Sequence, residues 1–228
     1  MNASTLSQLR IVVLAAGYSR RLGTPKALAR MHGASLLRRT ALMLTKLVRS
    51  QLIVIVPPRA ARLRVELRRI PAVLCANSRR SEGLASSVRL GLSRAKFSAG
   101  VLIVPVDLAA LERRDLRRLI ARWQAARRRV AARRIGTLDG IHGDARGDAR
   151  GRMRGDTRGG TPVILPKGLF AAAAGSKGEI GLRDMIARLA PEQRILIDLP
   201  SAAFDVDTAE DLTRARRNWS ATAVRGRP

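Results

Sequence analysis

Cysteine, histidine and aromatic residues are nearly missing from this chain of 228 residues, which has one Cys, two His and 3% aromatics. A single cysteine excludes a disulfide framework, and with only two histidines it also excludes a Cys/His zinc cluster. So few rings leave nearly all packing to aliphatic side chains, and they remove the aromatic interleaving on which bases stack. No apolar run approaches the roughly 20 residues that span a bilayer. The opening MNASTLSQLR lacks the basic-then-apolar order of a signal peptide. The expectation is a soluble, reduced, cytoplasmic protein that makes no membrane contact.

Acidic residues are also scarce. Asp and Glu number 17 against 44 Lys and Arg, a formal charge of +27. Only five of the basic residues are lysines. Residues 127–160 hold ten Arg and four Asp, and the surplus continues along the rest of the chain. The charge is therefore not gathered in one patch or tail. Two readings stay open, a solvated basic surface and a nucleic-acid partner, and either gives a general affinity for phosphates.

What the chain does contain is 46% hydrophobic residues, enough for a full core, arranged as apolar runs alternating with amphipathic stretches. Runs at 10–16, 51–56, 72–76 and 100–106 read as buried strands, the last as the central one. Spacing predicts helices over 34–49, 59–69, from Ser81 as N-cap to about Ala95, and over 111–128. Short strands follow at 130–132, 161–165 and 194–199, with helices over 181–189 and 208–219, the last capped by Thr208. Strands alternating with crossovers of this length imply an α/β fold, an open and mostly parallel sheet with helices on both faces. Residues 143–158 read GDAR-GDAR-GRMR-GDTR, four tetrads with almost no apolar residue. The reading is a single domain over 1–228 with a disordered Gly/Asp/Arg insertion at about 139–160.

The chemistry gathers in residues 14–28, LAAGYSRRLGTPKAL. A strand ends at Ala16, Gly17 and Gly23 sit in the following loop, and Arg20, Arg21 and Lys26 are carried beyond it. In an open parallel sheet, ligands bind past the carboxyl ends of strands. Glycines there let backbone N–H groups approach phosphate oxygens, and Arg and Lys supply charge. The spacing matches neither a P-loop nor G-x-G-x-x-G. Asp107 directly follows the aliphatic run GVLIVPV, where an acid is costly unless it is used. Cys75 reads as a core residue.

LAAG-x-S-x-R-x-G-x-x-K-x-L resembles the opening signature of the nucleotidyltransferases that make the dinucleotide forms of the molybdenum cofactor. Further matches follow in order over about residues 10–218. Asn77, Gly83, Ser86, Ser87 and Gly91 resemble the N-x5-G-x-x-x-S stretch of the cytidylyltransferase branch. Asp107 stands where the family has its metal-binding Asp. Gly160-Thr161-Pro162 is similar to its G-x-P, Gly178-Glu179-x-Gly181 to its GD-x-G, and DVDTAEDL at 205–212 to its closing D-x-DT-x-x-D. The chain departs from the pattern at Leu108-Ala109, where a proline is usual, and at Glu179, where Asp is usual.

The resemblance implies a Rossmann-like nucleotidyltransferase that moves CMP from CTP to the phosphate of molybdopterin and releases pyrophosphate. It implies Mg²⁺ on Asp107, with Asp207 the second choice of ligand. Arg21 and Lys26 would neutralise the triphosphate, so Lys26, Arg21 and Asp107 are the catalytic candidates. Leu14, Ala15, Ala16, Gly17, Arg21, Gly23, Lys26, Asn77, Gly83 and Ser87 are the nucleotide-binding candidates, Asn77 and Ser87 through hydrogen bonds to base or ribose. A molybdoenzyme would receive the product. GTP in place of CTP is the enzymatic alternative, and a non-catalytic basic accessory or nucleic-acid-binding protein on the same fold is the other. Because the repeat has no apolar face, deleting 143–159 is expected to leave melting temperature and nucleotide binding nearly unchanged in a thermal-shift assay.

Overall fold

The computed structural model describes residues 8–47, 51–135, 158–175 and 181–218. Seven strands form the main sheet: β1 (Leu9–Leu14), β4 (Leu52–Val56), β5 (Ala72–Ala76), β6 (Gly100–Pro105), β7 (Val130–Ile135), β8 (Arg158–Pro166) and β9 (Arg194–Ile197). Their order is β5-β4-β1-β6-β8-β7-β9, with β6 at the centre. β1 pairs in parallel with β4 and β6, β4 with β5, and β7 with β9. β8 runs antiparallel to both of its neighbours. The mostly parallel α/β sheet is as expected. Two short strands, β2 (Arg30–Met31) and β3 (Ala34–Ser35), pair separately.

Both faces of the sheet are covered, which is why its strands read as unbroken apolar runs. Successive side chains alternate: Leu9, Ile11 and Val13 of β1 join one core, and Val12 and Leu14 the other. The first core is closed by α1 (Leu36–Thr45), α2 (Ala61–Glu66), α4 (Arg113–Ala125) and α7 (Ala209–Asn218). The second is closed by α3 (Leu84–Arg94), α5 (Phe170–Gly175) and α6 (Gly181–Arg188). Trp123 of α4 is fully buried and lies over Gly100, where a Cβ would stand 2.4 Å from the ring. Among the described residues, no helix is long and apolar enough to cross a membrane.

Several expected boundaries move for local reasons. The basic helix of 59–69 contracts to α2, because Arg59 and Arg69 take positive φ values of 59° and 64°. Ser81 is not an N-cap. It lies in a 3-10 turn, Arg80–Glu82, and α3 begins only after Gly83, whose φ of 83° interrupts the helical path. The helix expected from 34 starts at Leu36, since Ala34–Ser35 pair with Arg30–Met31, and Ser35 caps it by accepting from Arg38 N. The insertion expected at 139–160 is also corrected at its far end. Arg158, Gly159 and Gly160 belong to β8 and pair with Ile135, Arg134 and Arg133. A Cβ on Gly159 would lie 2.6 Å from Ile186 Cγ2, so this position is packed. The tetrads before Arg158 lie outside the described residues, and a deletion meant to spare the sheet must stop at 157.

Helix α3 presses on β1 at Gly91, where a Cβ would meet Val12 Cγ1 at 2.5 Å. Overpacking a core typically costs about 1–3 kcal/mol. Gly91→Ala is expected to lose stability in that range by denaturant unfolding, and Val12→Ala in the same chain should recover part of the loss.

Candidate active site

The strand order sets where a ligand goes. From β1 the chain moves outward to β4 and β5, then returns to add β6 on the opposite side of β1. The crevice beyond the carboxyl ends of β1 and β6 is therefore the topological switch point. Leu14 is opposite Pro105, and Val106 N donates to Leu14 O at 3.1 Å, so the two loops leave the sheet side by side. They open into a cleft of about 600 Å³ whose walls include Gly17, Arg21, Lys26, Ser87, Asp107 and Asp207.

Lys26 is the centre of this cleft. Its main-chain N donates to Ser19 Oγ at 2.8 Å, which folds the loop after β1 back on itself. It opens a 3-10 turn (Lys26–Leu28) anchored by the buried Ala27. The ammonium then donates to Asp107 Oδ2 at 3.1 Å and to Asp207 Oδ1 in a still closer contact. The side chains of Lys26 and Asp107 are only 19% and 25% exposed. Burial alone would lower the Lys26 pKa, but Asp107, joined by Asp207, outweighs it and holds the pKa above the usual lysine value. Lys26 stays charged. Arg21 reaches Asp207 from the solvent side at 3.9 Å.

Asp207 is positioned by the start of α7. Asp211 Oδ2 accepts from the N–H groups of Asp207 and Thr208 at 3.1 and 3.0 Å, and Thr208 Oγ1 accepts from Asp211 N at 3.1 Å. This reciprocal capping gives Thr208 the N-cap role expected from the sequence. Loss of solvation would raise the Asp211 pKa, yet the bonds from Thr208 and Asp207 outweigh it and hold it low. The same loop is tied to β6 where Val206 N donates to Asp107 O at 3.0 Å. Two segments far apart in sequence thus present their carboxylates to one ammonium.

Leu14, Ala15, Ala16, Gly17, Arg21, Lys26, Gly83, Ser87, Asp107 and Asp207 all border the cleft. Gly23 and Asn77 do not. Gly23 makes a turn of the loop at φ 72°. Asn77, expected to touch base or ribose, is only 3% exposed, and its side chain is consumed internally. Nδ2 donates to Ser86 Oγ and Ser87 Oγ at 2.8 and 3.0 Å, and Oδ1 accepts from Arg79 N at 3.0 Å. Asn77 stands behind the wall and orients Ser87. Of the later motifs, Gly178 and Glu179 lie outside the described residues, and Thr161 borders the cleft.

Two contributors had not been singled out from sequence. Arg80 donates to Gly17 O at 3.1 Å and stacks 3.9 Å from the centre of the Tyr18 ring, clasping two loops at the cleft rim. Nothing local distinguished it among so many arginines. Arg183 of α6 borders the far wall beside Asp205. Asp211 closes the D-x-DT-x-x-D stretch already singled out, and its spacing from Thr208 marks the reciprocal cap.

The sequence profile described as the MobA-like NTP transferase domain matches residues 11–193. The chain belongs to that family. No curated protein matches it by sequence. Solved structures do. Rv0371c from Mycobacterium tuberculosis H37Rv is 24% identical, with a TM-score of 0.69 over 92% of this chain and 98% of that one. A second structure of Rv0371c, a complex with manganese, is 21% identical with a TM-score of 0.65 over 93% and 100%. The Rv0371c homolog of Mycobacterium sp. strain JC1 is 27% identical, TM-score 0.64, over 92% and 98%. The 2-C-methyl-D-erythritol 4-phosphate cytidylyltransferase of Thermus thermophilus is 20% identical, TM-score 0.61, over 92% and 98%. The seven-stranded sheet of this MobA-like chain is the nucleotidyltransferase fold.

Crowding of acids in the cleft of this MobA-like protein has a measurable cost. Loss of solvation, then the charges of Asp107 and Asp207, push the Asp205 carboxyl up to about 6 against the pull of Arg133 and Arg183. A carboxyl raised above its unfolded value favours the fold only while protonated; that contribution is complete at acid pH and lost as pH rises through 6. Asp205→Asn, with a chelator present, should therefore melt higher than wild type at pH 8. The difference in melting temperature should vanish toward pH 4.

Proposed function

We propose that this protein transfers CMP from CTP to the phosphate of molybdopterin and releases pyrophosphate, acting as one NTP-transferase domain whose product passes to a molybdoenzyme. The observation that carries the reading is the convergence of Lys26, Asp107 and Asp207 on one point at the switch-point cleft. Membership in the MobA-like family supports nucleotidyl transfer. The cytidylyltransferase named among the structural neighbours, and the stretch from Asn77 to Ser87, support CTP as the donor.

In this reading a phosphate oxygen of the acceptor attacks the α-phosphorus of CTP. The bond from that phosphorus to the oxygen bridging to the β-phosphorus breaks, and pyrophosphate leaves with the electron pair. Nothing is oxidised or reduced, and no protein nucleophile is needed, because positioning and charge neutralisation carry most of phosphoryl chemistry. Gly17 has no neighbour within 4 Å of where a Cβ would stand, so the backbone there is free for close approach by phosphate. Lys26 and Arg21 neutralise the triphosphate, and Ser87, held by Asn77, offers its hydroxyl to the nucleoside.

Asp107 and Asp207 would hold Mg²⁺ or Mn²⁺, which supplies further neutralisation of phosphate charge. Among the described residues no group of three or more His, Cys, Asp or Glu is arranged around a metal. A pair of carboxylates converging on one cation still suits Mg²⁺, which is ordinarily held by one or two carboxylates together with substrate phosphates. The manganese complex of Rv0371c is the parallel among its structural relatives.

The test is thermal shift and turnover with CTP, GTP, ATP and UTP in the presence of Mg²⁺ or Mn²⁺, using molybdopterin as acceptor. CTP should stabilise most and turn over fastest. Faster turnover and tighter binding with GTP would replace cytidylyl by guanylyl transfer. Binding of RNA with steep salt dependence and of no NTP would overturn the enzyme reading. Lys26→Ala should lower both CTP affinity and turnover. Asp107→Ala should slow the chemical step more than it weakens metal-free CTP binding, with rate losses of about 10²–10³ for such contacts.

A further inference from the structure

We infer that Lys26 competes with the divalent ion for a single cation position, so that metal and nucleotide phosphates must bind interdependently. The inference rests on Asp107 and Asp207 being the carboxylates that hold the ion. It adds to that reading a second job for Lys26, performed before the triphosphate is engaged.

The geometry is specific. Asp107 Oδ2 and Asp207 Oδ1 do not offer separate surfaces to a cation; both accept from the same Nζ. An ion that draws on these two oxygens has to take them from the ammonium. Lys26 already pairs with both Asp107 and Asp207, and Arg21 adds a second positive charge beside Asp207. Among the described residues no third acid, histidine or cysteine completes a cage that could outbid the lysine. The protein alone is thus a poor host for a divalent ion.

A triphosphate changes both sides of this competition. Its oxygens give the ion the ligands that two carboxylates lack, and its charge gives the Lys26 ammonium another partner. Moving Lys26 from carboxylate to phosphate is a short step, because Lys26 and the Gly17 loop border the same cleft. By linkage, whatever nucleotide does for the ion's affinity, the ion does equally for the nucleotide's. Lys26→Met then has opposite effects on the two ligands: weaker hold on phosphate and stronger hold on metal.

The experiment is titration of the full chain with Mn²⁺ in the absence of nucleotide, followed by electron paramagnetic resonance, with CTP binding measured calorimetrically on the same samples. Lys26→Met should bind Mn²⁺ more tightly than wild type by about fivefold or more, the lower end of ordinary coupling between ligands. Lys26→Gln, which is neutral but still donates to the carboxylates, should also gain and serves if the Met variant does not fold. Lys26→Arg keeps the charge and should stay at the wild-type level. Asp107→Asn added to Lys26→Met should erase the gain. Unchanged or weaker Mn²⁺ binding in both neutral variants, or an equal gain in the Arg variant, overturns the inference. If wild type still binds CTP with Mn²⁺ in that case, the nucleotidyl-transfer reading stands alone. If neither CTP nor Mn²⁺ binds any form, both fall.

Discussion

The register between β1 and β6 is the constraint on which the cleft depends. With Leu14 held opposite Pro105, the glycine loop and the Asp107 loop must emerge next to each other, whatever the intervening residues do. Those residues build β4, β5 and their helices on the far side of β1, and so leave the crevice open. The hydrogen bond from Val206 N to Asp107 O then draws the last loop into the same place. Shifting this pairing by one residue would turn every β1 side chain to the opposite core and carry the two loops apart.

Electrostatics inside the cleft differ from those of the chain at large. A molecule with a surplus of 27 positive charges collects Asp107, Asp205 and Asp207 at one end of its sheet. The surrounding arginines, Arg20, Arg21, Arg80 and Arg183 among the bordering residues, favour any polyanion that approaches. The acids decide what happens once it has arrived, because they create a position where a cation is held by two carboxylates. The basic rim and the pair of carboxylates converging on one cation are therefore separate properties of this protein, and the first does not explain the second.

Much of this could be read from the sequence, and the limits of that reading have physical causes. Parallel strands announced themselves because both faces are buried, as Ile11 to Leu14 illustrate. Gly17 and Asp107 stand out because each directly follows such a run, and Lys26 because the loop after β1 carries it. Helix limits were less legible where backbone conformation, not hydrophobic period, decides them: Gly83 with its φ of 83° starts α3 three residues beyond the Ser81 that looked like a cap. The direction of β8 was beyond reach, since an apolar run carries no sign of which way it pairs. Asn77 marks another limit: its amide is bonded to Ser86 and Ser87, and spacing cannot tell a side chain that touches a ligand from one that holds its neighbour.

The antiparallel strand β8 has a consequence for how the protein can change. Ile135 pairs with Arg158, so the chain leaves the sheet and re-enters it at neighbouring positions of one ladder. In the sequence the tetrad repeat falls within the connection from Ile135 to Arg158, and strand pairing already brings those two residues together. Closing a connection twice as long costs only about 0.6 kcal/mol more. Gain or loss of a Gly-Asp-Ala-Arg unit by replication slippage is then nearly silent to the sheet. The same pairing fixes where this connection starts and ends, whatever number of tetrads it carries.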